Sequence, residues 1–225
     1  IFGTSVPNPA QSVPKEHYTT IDMLDVPLVK KLEKIKSAKI TSNNNANIVD
    51  SSSFDLRRKA KCVSIDKETG KQAKHNTENV WGSITTQETV VCDSGVWTWV
   101  FRVDNISKGR IYIGMAKESK FNANNYVGSE NFGVSLDLRG KIFRRGRAKD
   151  RYYCERILPG TLIYMTYDTT SIDGGTLSFG NYKERRSFGV AFRNFSQNLP
   201  VVPTVSLRDK GDQVTYVDFF FGSIL

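Results

Sequence analysis

The sequence predicts an all-β fold: an antiparallel sandwich of short strands, preceded by a short helical N-terminal extension. From Lys61 onward, bulky apolar residues recur at every second position, which is the period of a strand that buries one face. Gly, Asn, Asp or Pro separates these runs, and Asp173-Gly174-Gly175 is typical of a hairpin turn. No helical pattern of useful length interrupts the runs, so crossover helices, and with them a parallel sheet, are excluded.

Three runs show the alternation most clearly, at residues 97–103, 111–116 and 132–138. Further strands are expected at 162–167, 176–179, 188–192, 201–207 and 214–221, with shorter ones at 61–65 and 89–92. The side chains expected in the core are Trp99, Phe101, Ile113, Leu136, Met165, Phe179 and Phe192.

The first sixty residues are predicted to be an N-terminal extension, and residues 61–225 the sandwich domain. An amphipathic helix is expected from Asp25 to Ala38, because Asp25 can cap it and Leu28, Leu32 and Ile35 recur at helical spacing. A polar, Asn- and Ser-rich linker follows the helix.

Composition excludes several classes of protein. No apolar run approaches the roughly 20 residues that span a bilayer. Three widely spaced cysteines, Cys62, Cys92 and Cys154, form no disulfide framework and predict a reducing, intracellular and cytoplasmic location. His17 and His75 are the only histidines, and neither has ligand spacing to a cysteine, so we expect no metal. Because catalytic motifs are also absent, the sequence predicts no cofactor, no small-molecule substrate and no enzyme activity.

Positive charge is concentrated in one stretch, residues 139–151. It holds seven basic residues and one acidic residue, a net +6 of the chain's +9. The basic residues are Arg139, Lys141, Arg144, Arg145, Arg147, Lys149 and Arg151. Such a cluster favours acidic partners, including nucleic acid and phosphate. The alternative is a charged loop that keeps a sheet edge from pairing with other chains.

Several blocks, taken in order, resemble the SPRY domain family. The most specific is Gly175-Thr176-Leu177-Ser178-Phe179, which is similar to the family's Gly-Thr-Leu-Ser-Phe strand. The other blocks are 94–101, with Trp99 at the family's tryptophan, 110–116, 127–138, 188–193 and 199–203. The resemblance covers about residues 62–221 and implies a bent sandwich of two antiparallel sheets that binds protein partners through its loops.

Within the family, the sequence motifs most resemble those of the branch that accompanies SOCS boxes. That branch binds a short Asn-rich peptide for ubiquitination. The chain departs from this branch in two loops. Arg208-Asp209-Lys210 stands where the branch has a peptide-contacting tryptophan, and Lys74-His75-Asn76 lacks the proline of the branch's basic loop. The resemblance therefore implies a binding surface, but neither the peptide motif nor the ligase role.

Loops on a rigid sandwich are where recognition is normally placed. We expect partner contacts in loops 71–79, 121–126 and 208–212, with the 139–151 cluster beside them. The predicted partner-binding residues are Lys74, His75, Asn76, Asn124, Asn125, Tyr126, Arg208, Asp209 and Lys210.

The sequence thus predicts a non-catalytic protein-interaction module, with a substrate-recognition or scaffolding role in a larger protein. Its ligand is a protein or peptide, and an acidic one is favoured. The alternative is a nucleic-acid or phosphate-binding domain that uses the 139–151 segment.

Overall fold

The computed structural model describes residues 52–91, 93–129, 133–170, 175–195 and 199–224. Fourteen strands and one 3₁₀ turn (Glu118–Lys120) form the described secondary structure. The strands are β1 (Phe54–Lys59), β2 (Val63–Ile65), β3 (Gln72–His75), β4 (Gly82–Thr86), β5 (Val96–Asn105), β6 (Tyr112–Lys117), β7 (Gly133–Asp137), β8 (Lys141–Arg144), β9 (Arg147–Asp150), β10 (Leu162–Asp168), β11 (Thr176–Asn181), β12 (Arg186–Arg193), β13 (Val201–Leu207) and β14 (Gln213–Phe221).

The strands form two sheets of seven, and the named strand pairs are antiparallel. The first sheet has the order β1-β4-β13-β6-β7-β8-β9, and the second β12-β11-β10-β5-β14-β3-β2. The chain crosses from the first sheet to the second through residues 208–212, which connect β13 to β14. The predicted all-β class and the two antiparallel sheets are confirmed.

The largest buried apolar cluster includes side chains from both sheets. All seven predicted core residues are buried, each exposing 5% or less of its surface. Trp99 on β5 pairs with Met165 on β10 and with Phe219 on β14, so it lies at the centre of the second sheet. This agrees with the register predicted for β5.

Four features of the described structure differ from the expectations. The first sheet begins with β1 at Phe54, before the predicted start at residue 61, and β1 pairs with β4. The expected strand at 89–92 is only an isolated bridge between Val90 and Val201, and Cys92 lies outside the described residues.

The other two differences concern predicted loops. The stretch 139–151 is mostly the hairpin β8–β9, with its turn at Arg145 and Gly146. Lys74 and His75 lie on strand β3, which pairs with β14, and not in a loop. The helix expected at 25–38 lies outside the described residues.

The first sheet also buries more than the one face that alternation predicts. Every residue of β4, β7 and β13 is buried, because the face turned away from the core is covered as well. Part of that cover is the segment 121–129, which lies across the outer face. This segment positions the site described next.

Candidate functional site

Five side chains from separate segments meet on the outer face of the first sheet. Tyr112 begins β6, Phe143 lies on β8, Trp81 precedes β4, Tyr126 belongs to the segment before β7, and Arg208 follows β13. We call this group the aromatic surface. Tyr112 is buried, whereas the other four are partly exposed, so the group presents one continuous patch.

The rings of the aromatic surface are in direct contact. Trp81 lies 5.1 Å from Tyr112 and 4.9 Å from Tyr126, and Tyr112 lies 5.0 Å from Tyr126, between ring centroids. Phe143 meets Tyr112 edge-on at 5.3 Å. These are the separations at which aromatic pairs stabilise each other beyond the burial of their area.

Arg208 adds positive charge to this patch. Its guanidinium lies 5.2 Å from the centre of the Trp81 ring, which is a cation–π distance. The Arg208 Nε is buried and has no hydrogen-bond partner among the described residues. The contact with the Trp81 ring therefore orients the planar guanidinium at the edge of the patch.

Buried hydroxyls hold the segment 121–129 against the sheet. The Ser206 Oγ accepts a 2.8 Å bond from the Val127 amide and lies 2.6 Å from the Ser83 Oγ. Ser83 also donates to the Asn125 carbonyl, and Ser135 donates to the Val127 carbonyl at 2.7 Å. The loop that carries Tyr126 is thus attached through three strands.

Gly128 allows this close approach. Its φ is +93°, a conformation that other residues adopt only with strain, and a Cβ there would lie 2.6 Å from the Ser135 Oγ. Any side chain at this position would push the segment away from β7.

An ion pair between the buried Asp137 and the partly exposed Arg139 lies at the β7 end of the surface. The Asp137 carboxylate is fully buried and accepts bonds of 2.8 and 2.5 Å from the Arg139 guanidinium. Burial raises the pKa of Tyr112 to about 12, and the nearby Asp137 charge acts in the same direction. Burial also raises the pKa of Tyr126. Both hydroxyls are therefore uncharged donors at neutral pH.

The basic hairpin, residues 139–151, borders the aromatic surface through Phe143. Arg145, Arg147, Lys149 and Arg151 are exposed. Arg139 is paired with Asp137, and the Arg144 Nη2 donates to the Asn194 carbonyl at 3.4 Å. Because β9 is the last of the described strands in its sheet, the exposed charges also lie along a sheet edge.

The structure brings some of the predicted contact residues together and separates others. Tyr126 and Arg208 both contact Trp81, while Asn124 and Lys210 are exposed beside them on their loops. The Asn125 side chain accepts a bond from the Tyr126 amide.

The 74–76 segment is less suited to contact. His75 and Asp209 are fully buried, which corrects the expectation that they face a partner. Lys74 is exposed on β3, and the Asn76 side chain bonds with Ser64. The His75 backbone instead links β3 to the 208–212 loop. Its amide donates to the Asp212 carbonyl, and its carbonyl accepts a bond from the Gly211 amide.

Cys62 lies beside His75, and among the described residues this is the one arrangement that suggests nucleophilic catalysis. A Cβ on Gly82 would lie 2.5 Å from the Cys62 Sγ and 3.0 Å from the His75 Nε2. However, burial raises the pKa of the Cys62 thiol, and the His75 Nδ1 accepts a bond from the Thr77 amide. A neutral imidazole that accepts at Nδ1 carries its proton on Nε2, so this nitrogen is no base toward the thiol.

Sequence reasoning missed Trp81, Tyr112 and Phe143 as site residues. Trp81 stands alone between Val80 and Gly82, and Tyr112 and Phe143 are the single outward aromatics of their strands. The outward position of Tyr112 in the alternation of β6 is the one signal that points to it.

Comparison with known proteins identifies the family. The SPRY domain model matches residues 96–219, more than half of the chain. The chain belongs to the SPRY domain family. SPRY domains in general are non-catalytic protein-interaction modules.

Solved structures share the fold of this SPRY domain. The SPRY domain of human HERC1 superposes with a TM-score of 0.59 at 17% identity, covering 73% of this chain and 97% of that one. A human SPRY domain gives 0.56 at 20% identity, with coverages of 69% and 94%. The PSpry domain of TRIM65 gives 0.55 at 17% identity, with coverages of 85% and 98%. No curated protein sequence matches.

Two features are absent from the described part of the SPRY chain. No helix there is both long and apolar enough to cross a membrane. No three His, Cys, Asp or Glu side chains come together there in a group that could hold a metal ion.

Proposed function

We propose that this SPRY domain binds a partner protein or peptide through the aromatic surface and its rim, residues 121–126 and 208–210. The domain then serves as a substrate-recognition or scaffolding part of a larger, intracellular protein. The observation that carries the proposal is the stacked group of Trp81, Tyr126 and Arg208, which stays partly exposed although its rings are in contact.

The composition of the patch supports binding. Aromatic residues and arginine are enriched in protein interfaces and dominate their binding energy. Here they form a patch separate from the buried cluster between the sheets, with exposed polar groups such as Asn124 around it. An apolar centre with a polar rim is the usual anatomy of an interface.

The rigidity of the patch supports it further. Tyr126 is carried by a segment that hydrogen bonds to Ser83, Ser135 and Ser206 on three strands. A ligand therefore meets a surface that is already ordered, and the entropic cost of ordering a loop on binding is reduced.

The basic hairpin favours an acidic partner. Its exposed arginines and lysine lie next to Phe143, so they raise the local positive potential beside the aromatic surface. Rim charges of this kind speed encounter more than they tighten the final complex.

Binding of nucleic acid or phosphate is the second candidate. The exposed residues Arg145, Arg147 and Lys149 support it, since the described ion pairs include none of them. A purely electrostatic binder would lose affinity steeply with salt. A partner held by the aromatic surface would keep most of its affinity at high salt, because stacking and burial are not screened.

The test is a quantitative affinity purification from cell extract with three forms of the full chain. These are the parent, the double variant Tyr126→Ala/Arg208→Ala, and the control Leu56→Ala, which alters a side chain 63% exposed on β1. We expect specific partners to be retained by the parent and the control and lost from the double variant. Thermal melts establish that all three forms are folded.

A partner retained equally by all three forms would contradict the proposal. Arg208→Lys separates the two contributions of this residue, because lysine keeps the charge and loses the planar stack on Trp81. Binding that survives in Arg208→Lys and disappears at high salt would favour the electrostatic candidate.

A further inference from the structure

Strand β12 is an edge of the second sheet, in a different sheet from the aromatic surface. Of the four edge strands it is the longest, with eight residues against six in β1, four in β9 and three in β2. Only Phe192 of these eight residues is buried, and Val190 exposes 46% of its surface. A long edge strand is a template for pairing with another chain.

A cleft of about 530 Å³ runs beside the first half of β12. The segment 152–155 forms one wall, and Arg186, Ser187 and Phe188 form the other. This volume is within the range of small-ligand pockets, so the cleft has room for a single side chain. Tyr152 at the mouth exposes 92% of its surface, so an aromatic face is available there.

The walls of the cleft are fixed in place. The Tyr153 hydroxyl donates to the Gly189 carbonyl at 2.5 Å and accepts a bond from the Phe179 amide at 3.3 Å. The Arg186 guanidinium lies 5.6 Å from the centre of the Phe188 ring. An aromatic floor and a cation therefore face any side chain that enters.

Gly189 leaves room for another backbone. Its φ is +91°, and no atom lies within 4 Å of the position that a Cβ would occupy. The register of β12 against β11 shifts around this glycine, between Val190, which pairs with Ser178, and Ser187, which pairs with Gly180. Glycine within a strand often marks such a bulge, and here it leaves open space beside the middle of the edge strand.

The positive charge around β12 favours a negatively charged partner. Residues 182–193 contain Lys183, Arg185, Arg186 and Arg193 against Glu184. Arg186 pairs with Glu155 at 3.7 Å and with Glu184 at 3.3 Å, but all three side chains are about half exposed or more. Such exposed pairs are weak, so an incoming carboxylate can replace them at little cost.

We propose that β12 is a second docking site, which accepts an extended acidic segment of a partner protein as an added strand. Main-chain hydrogen bonds to the edge supply affinity, and the cleft takes one apolar side chain of the segment beside Phe188. Two copies of β12 repel each other because both are basic, so the edge is protected from self-association and open to an acidic strand. The proposal does not depend on the aromatic surface.

The test uses the full chain and three labelled octapeptides with blocked ends. The first alternates valine and glutamate, the second replaces glutamate with lysine, and the third is acidic with proline at every valine position. We expect saturable binding of the first alone, since the second has the wrong charge and the third lacks half its amide donors. Hydrogen exchange should slow in residues 186–193 and stay unchanged in 121–129.

The variant Arg185→Glu/Arg186→Glu provides the matched control for charge. We expect this variant to bind the acidic peptide at least about tenfold more weakly than the parent does. It should also gain binding of the lysine peptide. Lys67→Glu, a charge reversal in an exposed turn outside β12, should change neither.

Three results would overturn the proposal. One is the absence of saturable binding by the acidic peptide, and another is equal binding of the proline peptide. The third is slow exchange of all amides of 186–193 in the peptide-free chain, because that edge would already be occupied by another segment of the same protein.

Discussion

Among single residues, Trp99 is the one whose removal should cost the most stability. It is fully buried where β10, β5 and β14 pair. We expect Trp99→Ala to lower the free energy of unfolding by roughly 3–5 kcal/mol, as large-to-small aromatic changes in cores do. Urea melts measure this free energy. Trp97→Ala, at a partly exposed position, should lower it clearly less. Equal costs would mean that the packing assigned to Trp99 is wrong.

Glu88 should make stability depend on pH. Burial raises its pKa, with smaller opposing effects from Thr86 and Tyr216. The folded protein therefore holds this proton more tightly than the unfolded chain, and stability falls as pH rises from the unfolded pKa through the folded one. We expect Glu88→Gln to be more stable than the parent at neutral pH and to lose this part of the pH dependence.

Urea melts between pH 4 and pH 8 check the Glu88 prediction. Glu118→Gln is a suitable control, because this glutamate is exposed and near Arg58. A parent and a Glu88→Gln variant with parallel stability profiles across the range would show that the carboxyl is not protonated preferentially in the folded state.

At the scale of single elements, the segment 121–129 should depend on one buried hydroxyl. Ser206→Ala removes the acceptor of the Val127 amide and the partner of Ser83. Leaving such a buried group unpaired costs about 1–3 kcal/mol. Denaturant melts should show this loss, and hydrogen exchange should show it as faster opening of 121–129. Unchanged exchange would mean that other contacts hold the segment.

The basic hairpin should act on the rate of association. Arg147→Glu, Lys149→Glu and Arg151→Glu together reverse exposed charges with no described ion pair, so stability should hardly change. We expect slower association with an acidic partner and a flatter salt dependence, with little change in dissociation. Stopped-flow kinetics at several salt concentrations measure both rates. A large rise in the dissociation rate would show that these residues belong to the bound contact.

The strands also show how much of the secondary structure could be predicted from the sequence. Strand β13 lies at the predicted residues, and β10, β11, β12 and β14 lie within a few residues of them, because each contains several residues of high strand propensity. Strands β3 (Gln72–His75) and β9 (Arg147–Asp150) were missed, since each has only one small apolar residue. They are strands because β14 and β8 offer them backbone partners, and pairing of that kind leaves no pattern in the sequence.

At the scale of the whole molecule, the family could be predicted but the site only in part. The loops 121–126 and 208–212 were expected at the rim, and their Tyr126 and Arg208 both contact Trp81. Trp81 itself lies far from both in sequence, so only the folded arrangement of β4 beside β13 brings it to them. His75 and Asp209 were expected to be exposed and are buried, because the polar character of a loop does not determine which of its side chains face solvent.

The most direct test of the central claim is a hydrogen-exchange footprint of the full chain bound to a partner recovered by the affinity purification. If the aromatic surface is the binding site, protection should appear at 121–129 and around Trp81 and Arg208. It should be lost in Tyr126→Ala/Arg208→Ala, at partner concentrations that saturate the parent. Protection confined to the 139–151 hairpin, or a footprint that the double variant keeps in full, would contradict the account.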